Sequence, residues 1–284
     1  MEIFLRLSKR DKYILSHQIL AAGVIGVLDR LKDLYQHRAL LQVLVMRELK
    51  ARYRGTVLGF LWSFVNPLVL MAIYVLVFSV YLRVDMKNYP AFLLCGVFAW
   101  TWFSIGISEA TNSIISNGGL IKKVYLPSEI IPLVYITSNM VHYLLTLPIQ
   151  FFFLFFFRVE LSWTVAILPL VILIQLLFMY GLALILSALA VQFRDLLHIV
   201  PNFLMVWFFL TPIFYPTSMV PEKYRPLIDL NPLSHLIKSY QDIFYYGRGP
   251  STLSLVLLSG LAVALLFAGF SLFEAQKDLF AEEV

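Results

Sequence analysis

The stretch R-E-L-K-A-R-Y-R-G-T-V-L-G-F-L-W-S-F-V-N-P, from Arg47 to Pro67, decides how the rest of the chain is read. Its first half carries Arg47, Lys50, Arg52 and Arg54, and after Arg54 no charged residue occurs until Arg83. A bilayer centre accepts Leu, Ile, Phe and Val and rejects Arg and Lys, so this break marks a membrane surface.

Composition agrees. The chain has 284 residues, 60% of them hydrophobic and 14% charged, with a mean hydropathy of +0.82. Soluble domains carry roughly 25% charged residues. The sequence is therefore that of an all-α integral membrane protein, nearly all of it spans and short loops. The net charge of +5 is not a nucleic-acid signal. Half of the Lys and Arg precede Gly55, where positive charge fixes topology and meets anionic headgroups. A single cysteine, Cys95, excludes an intramolecular disulfide and a cysteine-based metal site. Charges at Glu2, Arg6, Lys9, Arg10, Asp11 and Lys12 interrupt any signal-peptide core.

Upstream of the boundary, residues 1–16 form a mostly basic tail. From His17 to His37, Leu20, Val24, Leu28, Leu31 and Tyr35 recur at helical spacing, with charges between them, which predicts an amphipathic surface helix. Residues 39–54 predict a second one. Arg47, Lys50 and Arg54 share a stripe, while Met46, Leu49 and Tyr53 lie on roughly the opposite side. Glu48 and Arg52 form a favourable i, i+4 pair. Such a helix lies in the headgroup layer, apolar side down.

Downstream, six spans of about twenty residues are expected. They fall at 57–82, 89–108 or a turn further, and within 130–157, 161–193, 196–217 and 251–273; an acidic tail, 274–284, follows. With both ends inside, fifteen Lys and Arg lie on the inner side and seven on the outer, which the positive-inside rule favours. Asn117, Gly118 and Gly119 break the second span, and Pro127 closes the short segment 120–126, the pattern of a small helix lying on the inner surface. The next inner loop carries Arg194 and Asp195. The outer loop from Pro216 to Pro250 holds five prolines among apolar residues such as Leu227, Leu236 and Phe244. It is too apolar for a free loop and too interrupted to span, so short helices re-entering the outer leaflet are expected.

No phosphate-binding G-x-x-x-x-G-K-[ST], no G-x-G-x-x-G and no H-E-x-x-H occurs. No metal-ligand spacing is visible among the histidines. His142 and Glu109 are intramembrane ionisable groups, read either as proton-relay or pore residues or as satisfied packing residues. Of the many aromatics, most are belt or core. Trp62, Tyr74, Trp100, Trp102, Trp207, Phe214 and Tyr215 are candidates for lining a path, a use that suits sugar rings and lipids alike.

With those residues in view, the chain resembles the permease subunits of type-2 ABC exporters of polysaccharides, the O-antigen (Wzm-type) and teichoic-acid export permeases. Arg47–Pro67 carries the likeness, together with N-G-G-L-I-K-K-V-Y-L-P-S-E-I-I-P from Asn117, F-R-D-L-L-H-I-V-P from Phe193, and P-I-F-Y-P-T-S-M-V-P-E-K-Y-R through N-P-L-S-H-L-I at Asn231. Residues 1–38 lie outside it as an extension; 39–273 form the transmembrane domain and 274–284 an inner tail.

The resemblance implies a homodimer of six-span subunits in a bacterial inner membrane, with both ends of the chain cytoplasmic. It implies a separate ATP-binding subunit that uses ATP and Mg, no cofactor on this chain, no enzyme activity of its own and no nucleic-acid partner. It makes 39–54 an interface helix at which a lipid-linked polysaccharide is admitted, with Arg47, Lys50, Arg52, Tyr53 and Arg54 as its contacts. It makes Leu120, Ile121, Lys122, Lys123, Val124 and Tyr125 a coupling helix on the ATPase, flanked by Arg194 and Asp195. Outer helices at about 222–230 and 232–246, with Glu222, Tyr224, Arg225, Asn231 and His235, would close the outer end of the channel. An ion-gradient-driven flippase using His142 and Glu109, an exporter of a small lipophilic substrate and a membrane glycosyltransferase are the alternatives.

Overall fold

The computed structural model describes residues 32, 34–55, 57–81, 86–123 and 126–283. Residues 1–31, with most of the helix expected from His17, lie outside that set, as do Val124, Tyr125 and the side chains of Tyr53 and Lys123. Among the described residues the regular structure is all helix, with no strand. The helices are α1 (Arg38–Tyr53), α2 (Trp62–Val75), α3 (Tyr89–Thr111), α4 (Ser113–Ser116), α5 (Gly118–Lys123), α6 (Ile130–Phe156), α7 (Leu168–Gln192), α8 (Leu196–Leu210), α9 (Arg225–Leu230), α10 (Pro232–Phe244) and α11 (Thr252–Glu283).

The axis of the bundle is α3. It starts where Asn88 takes a left-handed φ of 52° and Pro90 occupies the first turn. A helix that is apolar all round must be buried all round. Accordingly α2, α6, α7, α8 and α10 all pack on it, and Ala91 to Trp100 are buried without interruption. The other long contact joins α7 to α11. It depends on glycine: a Cβ on Gly181 would meet the Leu265 carbonyl carbon at 2.5 Å, and one on Gly269 would meet the Gly181 oxygen at 2.6 Å. Small residues at a crossing let two backbones approach this closely.

Among the described residues, four segments are long and apolar enough to cross a membrane: Tyr89–Thr111, Ile130–Phe156, Trp163–Gln192 and Thr252–Lys277. These match the expected second, third, fourth and sixth spans. The expected first span is composite. A 3-10 turn at Gly59–Leu61 leads into α2, which continues as a π-helical stretch over Leu76–Tyr81. The expected fifth span is short. Helix α8 has 15 residues, about 22 Å of rise, against a hydrocarbon core of about 30 Å.

Beyond α8 the chain leaves helical geometry over 211–215 but stays inside the protein. Ile213 is fully buried. Gln241 Nε2 donates to the Pro212 oxygen at 2.8 Å, and Tyr89 Oη donates to the Phe214 oxygen at 2.8 Å. Irregular backbone at membrane depth requires this kind of internal satisfaction.

Short helices appear in the 216–250 segment where the prolines place them: a 3-10 turn at Glu222–Tyr224 runs into α9, and α10 follows. One expectation needs correction. The tail from Glu274 onward is not a separate segment, because α11 continues through it to Glu283. Phe273 and Phe280 explain the continuation, since both are buried in an apolar cluster at the α1 end of the molecule together with Leu44, Val45, Ile114, Ile130 and Phe270.

Candidate functional site

Helix α1 forms as expected but presents a different face. Leu44 and Val45 point inward and Met46 is exposed. The stripe that follows Leu44 and Val45 at helical spacing brings Glu48 and Arg52 to the bundle rather than to water. Arg52 does not pair with Glu48. Its guanidinium donates to Glu109 Oε2 at 2.5 Å and to Asn139 Oδ1 at 3.0 Å, and Asn139 Nδ2 donates to the same Glu109 oxygen at 2.7 Å. One charge from α1, one from α3 and an amide from α6 thus close a ring of hydrogen bonds.

One turn back, Arg47 donates to Asn117 Oδ1 at 3.1 Å, and Asn117 Nδ2 donates to Tyr135 Oη at 3.0 Å. Burial pushes the Glu48 carboxyl up, with Glu109 adding to the effect and Arg52 and Arg47 opposing it. Two of the five predicted interface residues are therefore fastenings of α1, Arg52 to α3 and α6 and Arg47 to the α4–α5 junction. Lys50 and Arg54 are exposed and show no ion pair among the described residues. Glu109 is committed to this ring, and His142 lies half-buried on α6.

At the same end, Asn117 ends α4 and starts α5. Leu120 and Ile121 turn partly inward, while Gly119 and Lys122 face out. Arg194 and Asp195 are exposed at the turn between α7 and α8. They share this end of the molecule with Lys122.

The candidate lining residues separate into groups. Tyr74 and Trp100 line a cavity of about 400 Å³ between α2, α3 and α8, in which Thr101 and Ser104 supply hydroxyls. Their rings lie against Phe208, with centroids at 5.8 and 5.5 Å. Trp207 and Tyr215 line a second cavity of about 630 Å³, bounded by α8, α9 and the 220–224 turn. Trp62 is exposed on α2, and Phe214 is half-buried against Phe208 and Tyr215. Trp102 must be removed from the set. It is 2% exposed, stacks on Tyr143 at 5.3 Å and donates to the Ile136 oxygen, all inside the bundle.

Between α9 and α10, Asn231 is a joint. Its Oδ1 accepts from the Leu233 amide at 3.0 Å, capping α10, and from Trp207 Nε1 at 2.9 Å. Its Nδ2 donates to Thr211 Oγ1 at 3.1 Å. One side chain ties α8 to α10. His235 bridges the Asp229 carbonyl oxygen and Ser254 Oγ, at 2.7 and 2.9 Å. Arg225 donates to the Val220 oxygen and pairs with exposed Glu222, and Tyr224 is half exposed on the cavity rim.

Sequence reasoning passed over two of the amides that make such contacts, Asn139 and Gln175. Asn139 carried a signal, since an amide inside an apolar span requires a partner. The same holds for Gln175, which donates to the Ala99 oxygen and accepts from Tyr240 Oη at 2.7 Å, joining α3, α7 and α10.

Comparison with known proteins fits this geometry. Residues 39–245 match the model of the ABC-2 type transporter family. The O-antigen export system permease protein RfbA of Myxococcus xanthus is 42% identical over 255 residues, which cover 89% of this chain and 98% of the relative. RfbA of Klebsiella pneumoniae is 37% identical over 246 residues, 86% of this chain and 94% of the relative. The polysialic acid transport protein KpsM of Escherichia coli is 23% identical over 252 residues, 84% and 93% of the two chains. Four membrane-length apolar helices among the described residues and a matched segment that runs from α1 through α10 lead to one conclusion: the chain belongs to the ABC-2 type transporter family of membrane proteins.

Proposed function

We propose that this chain is the channel-forming subunit of an ATP-driven exporter that moves a lipid-linked polysaccharide outward across a bacterial inner membrane. The observation that carries the reading is similarity to O-antigen export permeases over nearly their whole length. The chain works as a homodimer of six-span subunits, with ATP and Mg used by a separate nucleotide-binding subunit. The α1 end is cytoplasmic and α9–α10 re-enter from outside, the orientation the positive-inside count favours.

Each surface then has a task. Exposed Lys50 and Arg54, next to Arg47, hold the phosphate of the lipid carrier by charge-assisted hydrogen bonds. Lys122 on α5, with Arg194 and Asp195 beside it, meets the ATPase. Tyr74 and Trp100 offer flat faces to sugar rings, while Thr101 and Ser104 offer hydroxyls. Helices α9 and α10, hinged at Asn231, cap the outer end. A lined path and an external energy source are physically required. A hydroxylated polymer dragged through hydrocarbon would leave each polar group unsatisfied, at several kcal/mol apiece.

The test is reconstitution with the cognate ATPase. Lys122→Glu is expected to abolish stimulated hydrolysis and export together, while Tyr74→Ala lowers export and leaves ATPase binding intact. Export that continues in cells lacking the ATPase subunit would overturn the proposal in favour of a gradient-driven flippase.

A further inference from the structure

We infer that the projecting end of α11 is a brace that holds α5 in its docking position, so that force delivered to α5 passes into the bundle instead of bending a loop. The inference rests on the reading of α5 as the ATPase contact.

Helix α11 has 32 residues, about 48 Å of rise. A bilayer core accounts for about 20 residues. The remaining dozen project beyond the hydrocarbon at the α1 end. A projecting end with no task would be polar on every side. This one buries Phe273 and Phe280, at 0% and 1% exposure, with their rings edge to face at 4.9 Å. Seven residues apart, they occupy one face of the helix. Glu274 and Lys277 pair with each other, both only partly exposed.

That aromatic face has a counterpart. Helix α11 touches α5, and Leu120 and Ile121 pack against the cluster that contains Phe273 and Phe280. Helix α5 has six residues, whereas isolated helices shorter than about 12 residues are marginal in water. Its shape and placement are therefore set by what it rests on. Leu44 and Val45 of α1 enter the same cluster, so the brace links α5 to the interface helix as well. Lys122 and Gly119 remain on the open side.

The test uses the full-length permease purified in detergent, comparing Phe280→Ala with the parent chain. Amide hydrogen exchange over 118–123 is expected to accelerate at least tenfold, with exchange over 89–111 unchanged. No acceleration overturns the brace. Acceleration spread equally through α3 and α7 also overturns it, because Phe280 would then support the fold at large. With the cognate ATPase added, Phe280→Ala is expected to weaken binding about tenfold, and Phe280→Leu to restore most of it. Faster exchange in α5 with unchanged ATPase binding would leave the brace standing and would instead refute α5 as the docking helix.

Discussion

Arg52 and Glu109 meet at 2.5 Å with about a fifth and a third of their side chains exposed. Removing one member strands the other charge in a half-buried site. Arg52→Ala and Glu109→Ala are each expected to cost about 1–3 kcal/mol, and the double variant less than their sum. Thermal melts of the four proteins in detergent, combined as a double-mutant cycle, measure the difference; strict additivity would show the contact to be inert. Asn231→Ala removes a helix cap worth about 1 kcal/mol and strips the Trp207 indole of its acceptor, for a combined loss of about 2–3 kcal/mol. Asn231→Asp keeps both acceptor roles and should lose less by the same melt. Sequence reading nominated Arg52, Glu109, Trp207 and Asn231 one at a time. It did not join them, because each partner lies 24 to 87 residues away in the chain and no periodicity reports such a pairing.

Helix periodicity located the elements well and their facing badly. The boundaries of α3, α6 and α10 fall within a residue or a few of those expected, since proline, asparagine and glycine punctuate them. Helix α1 was legible as a helix, but its rotation was not. Arginine reads as a surface residue until a half-buried acid is known to await it. The extension of α11 was hidden by the charges of Glu274 and Lys277, which pair and leave Phe280 free to bury. At this scale the α7–α11 crossing offers the sharpest test. Gly181→Ala and Gly269→Ala are each expected to destabilise by about 1–3 kcal/mol or more through overpacking. Gly260→Ala, where a Cβ meets nothing within 4 Å, should be neutral in the same melt. Likewise Tyr240→Phe leaves Gln175 Oε1 without its donor, at about 1–3 kcal/mol.

For the whole molecule, α2 and α8 flank the first cavity and each carries an exposed apolar face. Val69 and Ile73 on α2, with Phe203 and Val206 on α8, are half or more exposed. In the proposed homodimer these faces approach a second copy around the path. Cys95 is buried, which leaves introduced thiols as the reactive ones. Val206→Cys is expected to give an oxidant-dependent dimer on non-reducing gels of native membranes, whereas Leu253→Cys, exposed at the start of α11, should remain monomeric. The non-helical stretch over 211–215 also bears on how the protein is made. The carbonyls of Pro212 and Phe214 are bonded by Gln241, which is synthesised later, and by Tyr89, which is synthesised earlier. Released alone into lipid, this stretch would carry bare carbonyls. The Pro212 carbonyl therefore gains its partner only after α10 has left the ribosome. A Gln241 variant should accordingly betray itself as a nascent chain cleared by membrane proteases before any transporter has formed.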